Sequence, residues 1–160
     1  MADQTPDRTN DSQPAVVPAA LTPALADQVA HFFRVATFVH DMGVRFVACG
    51  PGWCETTLAV QPRHAQQDGF VHAGVLATLA DHTAGGAAGT CARLDQGVLS
   101  IEFKINLLRP ALGPDLRCRA VVLRPGKSVT VAEAEVYDVR PAGEVMVAKA
   151  TVTLAVVQRG

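Results

Sequence analysis

The segment from His72 to about Thr90 constrains the fold more than any other part of the chain. Its pattern predicts one long helix with small and apolar residues on almost every side. A helix of that kind is buried all round. Gly85 and Gly86 lie inside it, and each costs about 1 kcal/mol relative to alanine. We expect close approach of other backbone to offset this cost, as when a sheet wraps around the helix.

The other segments predict one amphipathic helix and six strands. Pro23 begins that helix, with Thr22 as its cap, and apolar residues at three- and four-residue steps continue it to about Met42–Gly43. The predicted strands span residues 44–49, 53–60, 98–108, 115–123, 129–139 and 145–157. Short connections between successive strands imply antiparallel neighbours. This order favours an α+β domain in which a curved antiparallel sheet wraps around the central helix.

Length, charge and composition limit what the chain does and where it works. Its 160 residues favour one domain with a sizeable core. A net charge of −1 argues against nucleic acid as the main partner, because nucleic-acid binding favours a basic surface. No apolar run approaches the roughly 18 residues of a membrane span, and the first residues lack the basic and apolar regions of a signal peptide. We therefore expect a cytoplasmic protein that binds neither nucleic acid nor a membrane.

Residues 1–23 differ in composition from the rest of the chain. They are rich in Pro, Asp, Gln, Thr and Ala and show no sustained apolar period. Such a segment is typical of a disordered tail. The folded domain is therefore expected to span residues 24–160.

The cysteines and histidines show no metal-binding spacing. The four cysteines, at positions 49, 54, 91 and 118, form no CxxC pair, and in the cytoplasm we expect them to be reduced. Cys49 and Cys54 flank a turn and could face each other across a hairpin. The five histidines form no HExxH motif. We expect no metal site.

The stretch from Gln66 to Asp81 carries the chemistry. A polar, glycine-containing loop leads into the step His72-Ala73-Gly74, and the apolar helical run that follows carries Asp81. A carboxylate on an apolar segment is costly to bury unless it is paired or used. A helix start offers unpaired backbone N–H groups and the positive end of the dipole. Together they supply a base or nucleophile and a group that polarises a carbonyl, which suits acyl transfer.

This order of elements, with the loop, the His-x-Gly step and the helical carboxylate, resembles the hotdog fold and, more narrowly, the PaaI-type acyl-CoA thioesterases. The similarity covers roughly residues 25–157. Its most specific part is the pattern Asn/Gln-x5-His-Gly-Gly-x6-Asp, which here reads Gln66, His72-Ala73-Gly74 and Asp81 with the spacing preserved. One departure is Ala73, where the family usually has glycine. Its backbone N–H survives, but the methyl group narrows the space for substrate.

The resemblance implies hydrolysis of an acyl-CoA to free acid and CoA, with coenzyme A as part of the substrate and no other cofactor. Asp81 would either activate a water or attack the thioester itself. The Ala73 N–H would polarise the thioester carbonyl. Outside a site, such an aspartate would cap a local amide or pair with an arginine.

Further residues take roles from the same resemblance. Gln66 would hold the attacking water or the thioester by its amide, and His72 would orient the loop or contact substrate. Ser100 would position water, Gly74 would lie against the substrate, and Lys127 would meet the phosphates of coenzyme A. Each has a plainer alternative: a solvated loop or turn side chain, a helix cap, or a strand serine bonded to backbone.

In the family, the loop and helix start of one subunit face the carboxylate of the partner. The resemblance therefore implies a homodimer, pairing further into a tetramer, in which Gln66, His72 and Ala73 work with Asp81 of the other chain. Two other functions stay open. A hotdog hydratase or dehydratase is faintly suggested by residues 74–76, and a non-catalytic acyl-CoA-binding hotdog protein would bind without turnover.

Overall fold

A computed structural model of the chain describes residues 16–159. The helices are α1 (Pro23–Val35), α2 (Thr37–Met42) and α3 (Ala73–Gly89), with a 3-10 turn at Pro62–His64. The strands are β1 (Val44–Gly50), β2 (Trp53–Ala59), β3 (Gln96–Leu107), β4 (Asp115–Arg124), β5 (Val129–Arg140) and β6 (Gly143–Gln158). The predicted α+β class is confirmed, and the predicted strands differ from the observed ones by only a few residues at their ends.

The six strands form one antiparallel sheet in the order β1-β2-β4-β5-β6-β3. Successive strands are neighbours except at β3, which pairs with β6 instead of β4. The expectation of neighbouring successive strands is wrong at this point. Residues 108–114 cross the end of the sheet, and the N–H groups of Leu108 and Arg109 bond the Val147 carbonyl of β6 on the way. As a result β3 is an edge strand with one unpaired side.

Helix α3 lies against the sheet and contacts every strand. Its second half, from Thr83 to Ala88, is fully buried, whereas Ala73 and Gly74 at its start are exposed. The expectation of burial on all sides therefore holds for the second half alone. The exposed start faces a cleft between the loop before α3 and the end of β3.

Gly86 permits close packing of α3 against its neighbours. A Cβ atom built there would lie 2.7 Å from the Cys54 sulfur and 2.9 Å from the Phe33 ring. At Gly85 a Cβ would meet only the Phe32 ring and Leu154, at 3.8 Å or more. The atoms that approach α3 closely are therefore side chains and not the expected backbone. Of these two helix glycines, Gly86 alone has no room for a methyl group.

The first predicted helix is two helices. Ala36 separates α1 from α2 with a ψ of 86°, and the second helix ends at Gly43, whose φ of 88° is left-handed. Phe33 and Val39 are both buried. On a continuous helix, six residues would place these side chains about 120° apart, so the break lets both enter the core.

Residues 16–22 form no helix or strand, and Val17 lies within contact distance of Gly52 in the β1–β2 turn. The rest of the predicted tail lies outside the described residues. In the hairpin beside this contact, Cys49 and Cys54 stand opposite each other, and all four cysteines are free thiols. No helix within residues 16–159 is long and apolar enough to cross a membrane.

Candidate active site

A cleft of about 510 Å³ opens at the start of α3, and we call it the helix-start cleft. The loop before α3 forms one wall and the end of β3 the other. The residues that line it are Gln66, Gln67, Phe70–Ala73, Leu76 and Leu107–Ala111. Three of the predicted site residues, Gln66, His72 and Ala73, therefore share one cleft.

Backbone hydrogen bonds fix the shape of the loop wall. The Gln66 N–H donates to the Phe70 carbonyl at 2.7 Å, and Val71 donates to the Ala111 carbonyl at 3.1 Å. Gly69 adopts a φ of 84°, in the left-handed region that favours glycine. The Gln66 side chain takes part as well, because its Oε1 accepts the Asp68 N–H at 2.9 Å. Its amide NH₂ group is therefore left to donate to a ligand.

His72 caps α3 and determines which backbone donor stays open. Its Nδ1 accepts the Gly74 N–H at 2.9 Å, so a neutral ring carries its proton on Nε2. A Cβ at Gly74 would lie only 3.0 Å from that Nδ1, so the absence of a side chain permits the cap. The N–H of Ala73 meets no acceptor among residues 16–159. This N–H, at the positive end of the helix dipole, is a ready donor for an oxyanion.

Asp81 and Ser100 form a second group of predicted residues. The Ser100 hydroxyl donates to Asp81 Oδ1 at 2.7 Å, while Oδ2 has no partner in the described part of the chain. Asp81 lies eight residues beyond Ala73 on α3, a rise of about 12 Å. One carbonyl group cannot reach both the Ala73 N–H and this carboxylate in a single chain. The structure therefore brings Asp81 to Ser100 but not to Gln66 or His72.

Lys127 lies away from the helix-start cleft. It belongs to the β4–β5 turn, where the carbonyl of its neighbour Ser128 accepts the Val156 N–H. The end of β6 pairs with the beginning of β3, whereas the cleft lies at the end of β3. Within one chain, Lys127 and the cleft thus occupy opposite ends of the sheet.

Arg109 is a cleft residue that sequence reasoning missed. It lines the helix-start cleft, and one guanidinium nitrogen donates to the Met146 carbonyl at 3.0 Å. Within residues 16–159 it pairs with no carboxylate, so its charge is available to an anion. The sequence showed an arginine before Pro110, which indicated only where β3 stops.

His64 is a second missed residue, and it holds the loop to the helix. It is 3% exposed, its Nδ1 accepts the Gln61 N–H at 3.0 Å, and its carbonyl accepts the His72 N–H at 2.8 Å. Its Nε2 is buried without a partner in the described residues. His64 thus bonds the turn before the loop through its ring and the cap of α3 through its backbone carbonyl.

Asp138 holds the opposite wall of the cleft. This carboxylate is fully buried. It accepts the N–H groups of Leu112 and Gly113 at 3.0 and 2.8 Å and pairs with Arg140. Ala111, next to these donors, lines the cleft, so Asp138 fixes the backbone that follows β3.

His82, next to Asp81, packs α1 against α3. Its ring stacks on Phe32 at 4.3 Å between centroids and meets Phe33 edge-on at 4.8 Å. Burial lowers the pKa of His82 to about 4, because the charged ring would lose its hydration. This histidine is neutral near pH 7. We therefore assign it to packing.

No group of three or more His, Cys, Asp and Glu side chains within residues 16–159 is arranged to hold a metal ion. The chemistry of the two groups described above consists of a carboxylate, a hydroxyl, an amide and helix-start N–H donors. These groups suit hydrolysis of an activated acyl compound.

Comparison with known proteins identifies relatives of this chain. The model of the thioesterase superfamily matches residues 68–145. A crystal structure of a thioesterase family protein from Silicibacter pomeroyi is 34% identical, with a TM-score of 0.82, over 84% of this chain and 99% of that one. Human acyl-coenzyme A thioesterase 13 is 27% identical over 121 residues, which are 74% of this chain and 86% of that protein.

A third comparison bears on the fold alone. The PaaI protein of the E. coli phenylacetic acid degradation operon has a TM-score of 0.73 at 22% identity, over 85% of this chain and 94% of that one. The predicted hotdog fold is confirmed by these structural matches.

Proposed function

This chain belongs to the thioesterase superfamily, and from that premise we propose that it hydrolyses an acyl-CoA to a free acid and CoA. The observation that carries the proposal is the state of Asp81. Ser100 donates to one of its carboxylate oxygens, and the other is open. A base or nucleophile needs this arrangement, in which the group is oriented but not neutralised by an ion pair.

The cleft residues would bind the carbonyl oxygen of the thioester. The Ala73 N–H and the Gln66 amide would donate to the carbonyl oxygen as negative charge develops there. A water activated by Asp81 would add to the carbonyl carbon, and Asp81 would take its proton. The intermediate would then expel the CoA thiolate as the C–S bond breaks, and the thiolate would take the proton that Asp81 holds. In the alternative route, Asp81 itself would attack the carbonyl carbon and expel the CoA thiolate as the C–S bond breaks. Water would then hydrolyse the mixed anhydride to the free acid and the Asp81 carboxylate.

Two copies of the chain would be needed to complete a site, because Ala73 and Asp81 are about 12 Å apart on one helix. The free edge of β3 supports such pairing. It exposes Leu99, Ile101 and Phe103 by 62%, 57% and 44%, and an apolar edge strand readily pairs with another strand.

A two-fold antiparallel pair would set the first half of one β3 against the second half of the other. Ser100 lies in the first half, and the cleft begins at the end of the second. Asp81 and Ser100 of one subunit would thus approach the cleft of its partner.

The basic residues would bind the coenzyme A part of the substrate. Coenzyme A carries phosphate groups, which Arg and Lys side chains bind. Arg109 lies in the cleft with its charge available, and the two-fold pairing carries Lys127 of the partner toward the same end of the sheet. We therefore add Arg109 to Lys127 as a proposed phosphate-binding residue.

The central test is the Asp81→Asn variant, assayed by release of the CoA thiol from acyl-CoAs of different chain length. The turnover number is expected to fall at least about a hundredfold, the low end for loss of a general base. Asp27→Asn is the matched control, because Asp27 is exposed on α1 and does not line the helix-start cleft. Turnover of Asp81→Asn close to that of the control would contradict the proposal. Release of CoA without a change in acyl unsaturation excludes the hydratase alternative.

Mixing two inactive variants tests the shared site. Asp81→Asn and Gln66→Ala chains, refolded together, are expected to regain activity, because each mixed dimer has one intact pair of Gln66 and Asp81. Activity that stays absent, while mass spectrometry of the intact dimers shows mixed dimers, would mean that both residues act within one chain. A stable, active monomer in light scattering would also refute the shared site.

A further inference from the structure

A largely apolar cavity, partly open to solvent, lies beyond Asp81 along α3, on the side away from the helix-start cleft. We call it the glycine chamber. Its volume is about 260 Å³, and its walls come from α1, the second half of α3 and the beginning of β3. The wall residues that bear on its shape are Val29, Phe32, Gly85, Gly86, Gly89 and Val98.

The glycine chamber begins at Gly85, one helical turn beyond Asp81 on α3. Gly85 and Gly89 follow Asp81 at four-residue steps, so the three lie along one side of α3. Glycines at both positions leave the helix backbone bare and make room beside it. Ser100, which bonds Asp81, is two residues from Val98 in the chamber wall. An acyl chain whose carbonyl carbon lies at Asp81 would enter the chamber at Gly85.

Polar groups close the far end. The Gln28 side chain donates to the Gln96 carbonyl at 3.4 Å, and both residues line the chamber together with Arg159. An apolar chain that reached this end would have to desolvate these groups or break their contact. The chamber therefore has a definite depth for apolar chains.

The length of α3 beyond Asp81 gives that depth. From Asp81 to Gly89 the helix rises by about 12 Å, which an extended chain spans with about ten bonds at roughly 1.2 Å each. A cavity of about 150 Å³ accommodates benzene, so 260 Å³ suits roughly ten carbons. The length along α3 from Asp81 sets the limit at about ten carbons, and a chamber of this volume has room for the part of such a chain that passes Gly85.

We propose that the glycine chamber holds the acyl group, and that Gly85 and Gly89 restrict the substrates to short- and medium-chain acyl-CoAs of up to about ten carbons. This inference rests on the proposed thioesterase function and specifies its substrate class. Longer acyl chains are excluded because the polar far end lies where their tails would continue.

The test uses a series of straight-chain acyl-CoAs with two to sixteen carbons, and the matching thioether analogues, which are not hydrolysed. Binding of the analogues is measured by calorimetry and hydrolysis by thiol release. Affinity of the unchanged chain is expected to rise up to about fourfold per methylene, the equivalent of about 0.8 kcal/mol per buried CH₂. The rise should stop near ten carbons.

Gly85→Ala and Gly89→Ala place the same methyl group at two depths. Both should fold, since the new Cβ atoms would lie 3.8 Å from Phe32 and 3.5 Å from Val29, ordinary contact distances. Gly89→Ala should weaken binding by about fourfold or more only for chains near eight to ten carbons, which extend to its depth. Gly85→Ala should have this effect from about six carbons upward. The surface variant Asp27→Asn should keep the original length profile.

Several outcomes would overturn the inference. Sixteen-carbon and ten-carbon analogues that bind equally well would show that the chamber sets no limit. Equal weakening at every length would show that the two glycines act on stability alone. Failure of all analogues to bind the unchanged chain would show that the chamber does not hold an acyl group. Length-limited binding without hydrolysis would refute the thioesterase proposal but support the chamber, whereas hydrolysis without a length limit would refute the chamber alone.

Discussion

Mild acid is expected to destabilise the fold through His82. Its ring is packed between Phe32 and Phe33, and its Nε2 is buried without a partner in the described residues. Burial lowers its pKa from the ordinary 6.5 to about 4, because the protonated ring loses hydration and gains no counter-charge. Protonation of this ring therefore opposes folding.

The sign and size of the effect follow from this difference in pKa. The unfolded chain protonates His82 near pH 6.5, whereas the folded chain does so only near pH 4. Between these values the unfolded state binds more protons, so the free energy of unfolding decreases as the pH falls. The loss is about 2 kcal/mol at pH 5 and approaches about 3 kcal/mol below pH 4. Above pH 6.5 the stabilising contribution of the neutral ring is fully present.

Urea denaturation of the unchanged chain and of His82→Leu, from pH 7.5 to pH 4 at one protein concentration, measures this loss. Leucine keeps an apolar side chain between the two phenylalanines and removes the titrating group. Carboxylates destabilise both proteins alike in acid, so the difference between the two profiles isolates His82. A difference that stays constant from pH 7 to pH 4 would refute the reasoning.

Three further perturbations test the packing, the cleft wall and the domain boundary. Gly86→Ala is expected to lower the free energy of unfolding by about 1–3 kcal/mol in urea, because the new Cβ would lie 2.7 Å from the Cys54 sulfur; greater stability would contradict this. Asp138→Ala should cost about 3 kcal/mol and reduce turnover, since it frees the loop beside the cleft; an unchanged melting temperature would show that the buried carboxylate is dispensable. A chain shortened by residues 1–21 should remain soluble and active, and loss of either property would extend the domain.

The elements of the fold were predictable where local chemistry decides them. The strand ends follow from alternation and turn residues, and α3 begins and ends within a residue of the expected positions. The break at Ala36 was not predictable, because the spacing of apolar residues in α1 and α2 is helical on both sides. What turns the chain there is the need to bury Phe33 and Val39 in the same core.

The pairing of β3 was unpredictable for a related reason. A short connection predicts that two successive strands pair only when no other strand pairs with one of them instead. Here the curved sheet brings β3 beside β6 instead, and this depends on how the sheet wraps α3. Arg109 and His64 were missed for the same reason. Their positions beside the cleft depend on which distant segments pack together, and local sequence does not show this.

Most of the candidate site was predictable from the sequence because its residues lie in one stretch. The loop, the cap and the carboxylate fall within sixteen positions, from Gln66 to Asp81. Their roles stay predictions until the variants are assayed. Ser100 is the one distant residue in the prediction, and the structure places its hydroxyl on Asp81.

The same helix carries both halves of the chemistry, and this has a consequence for the assembly. A rigid α3 keeps the Ala73 N–H and the Asp81 carboxylate about 12 Å apart. The two groups of one chain therefore cannot act on the same substrate carbonyl. β3 carries Ser100 beside Asp81 and ends at the cleft, and its outer edge is unpaired and exposes Leu99, Ile101 and Phe103. Under the proposed pairing, the strand that removes this exposed edge also supplies the missing half of each site. Dimer formation and turnover should therefore be lost together when the β3 edge is disrupted.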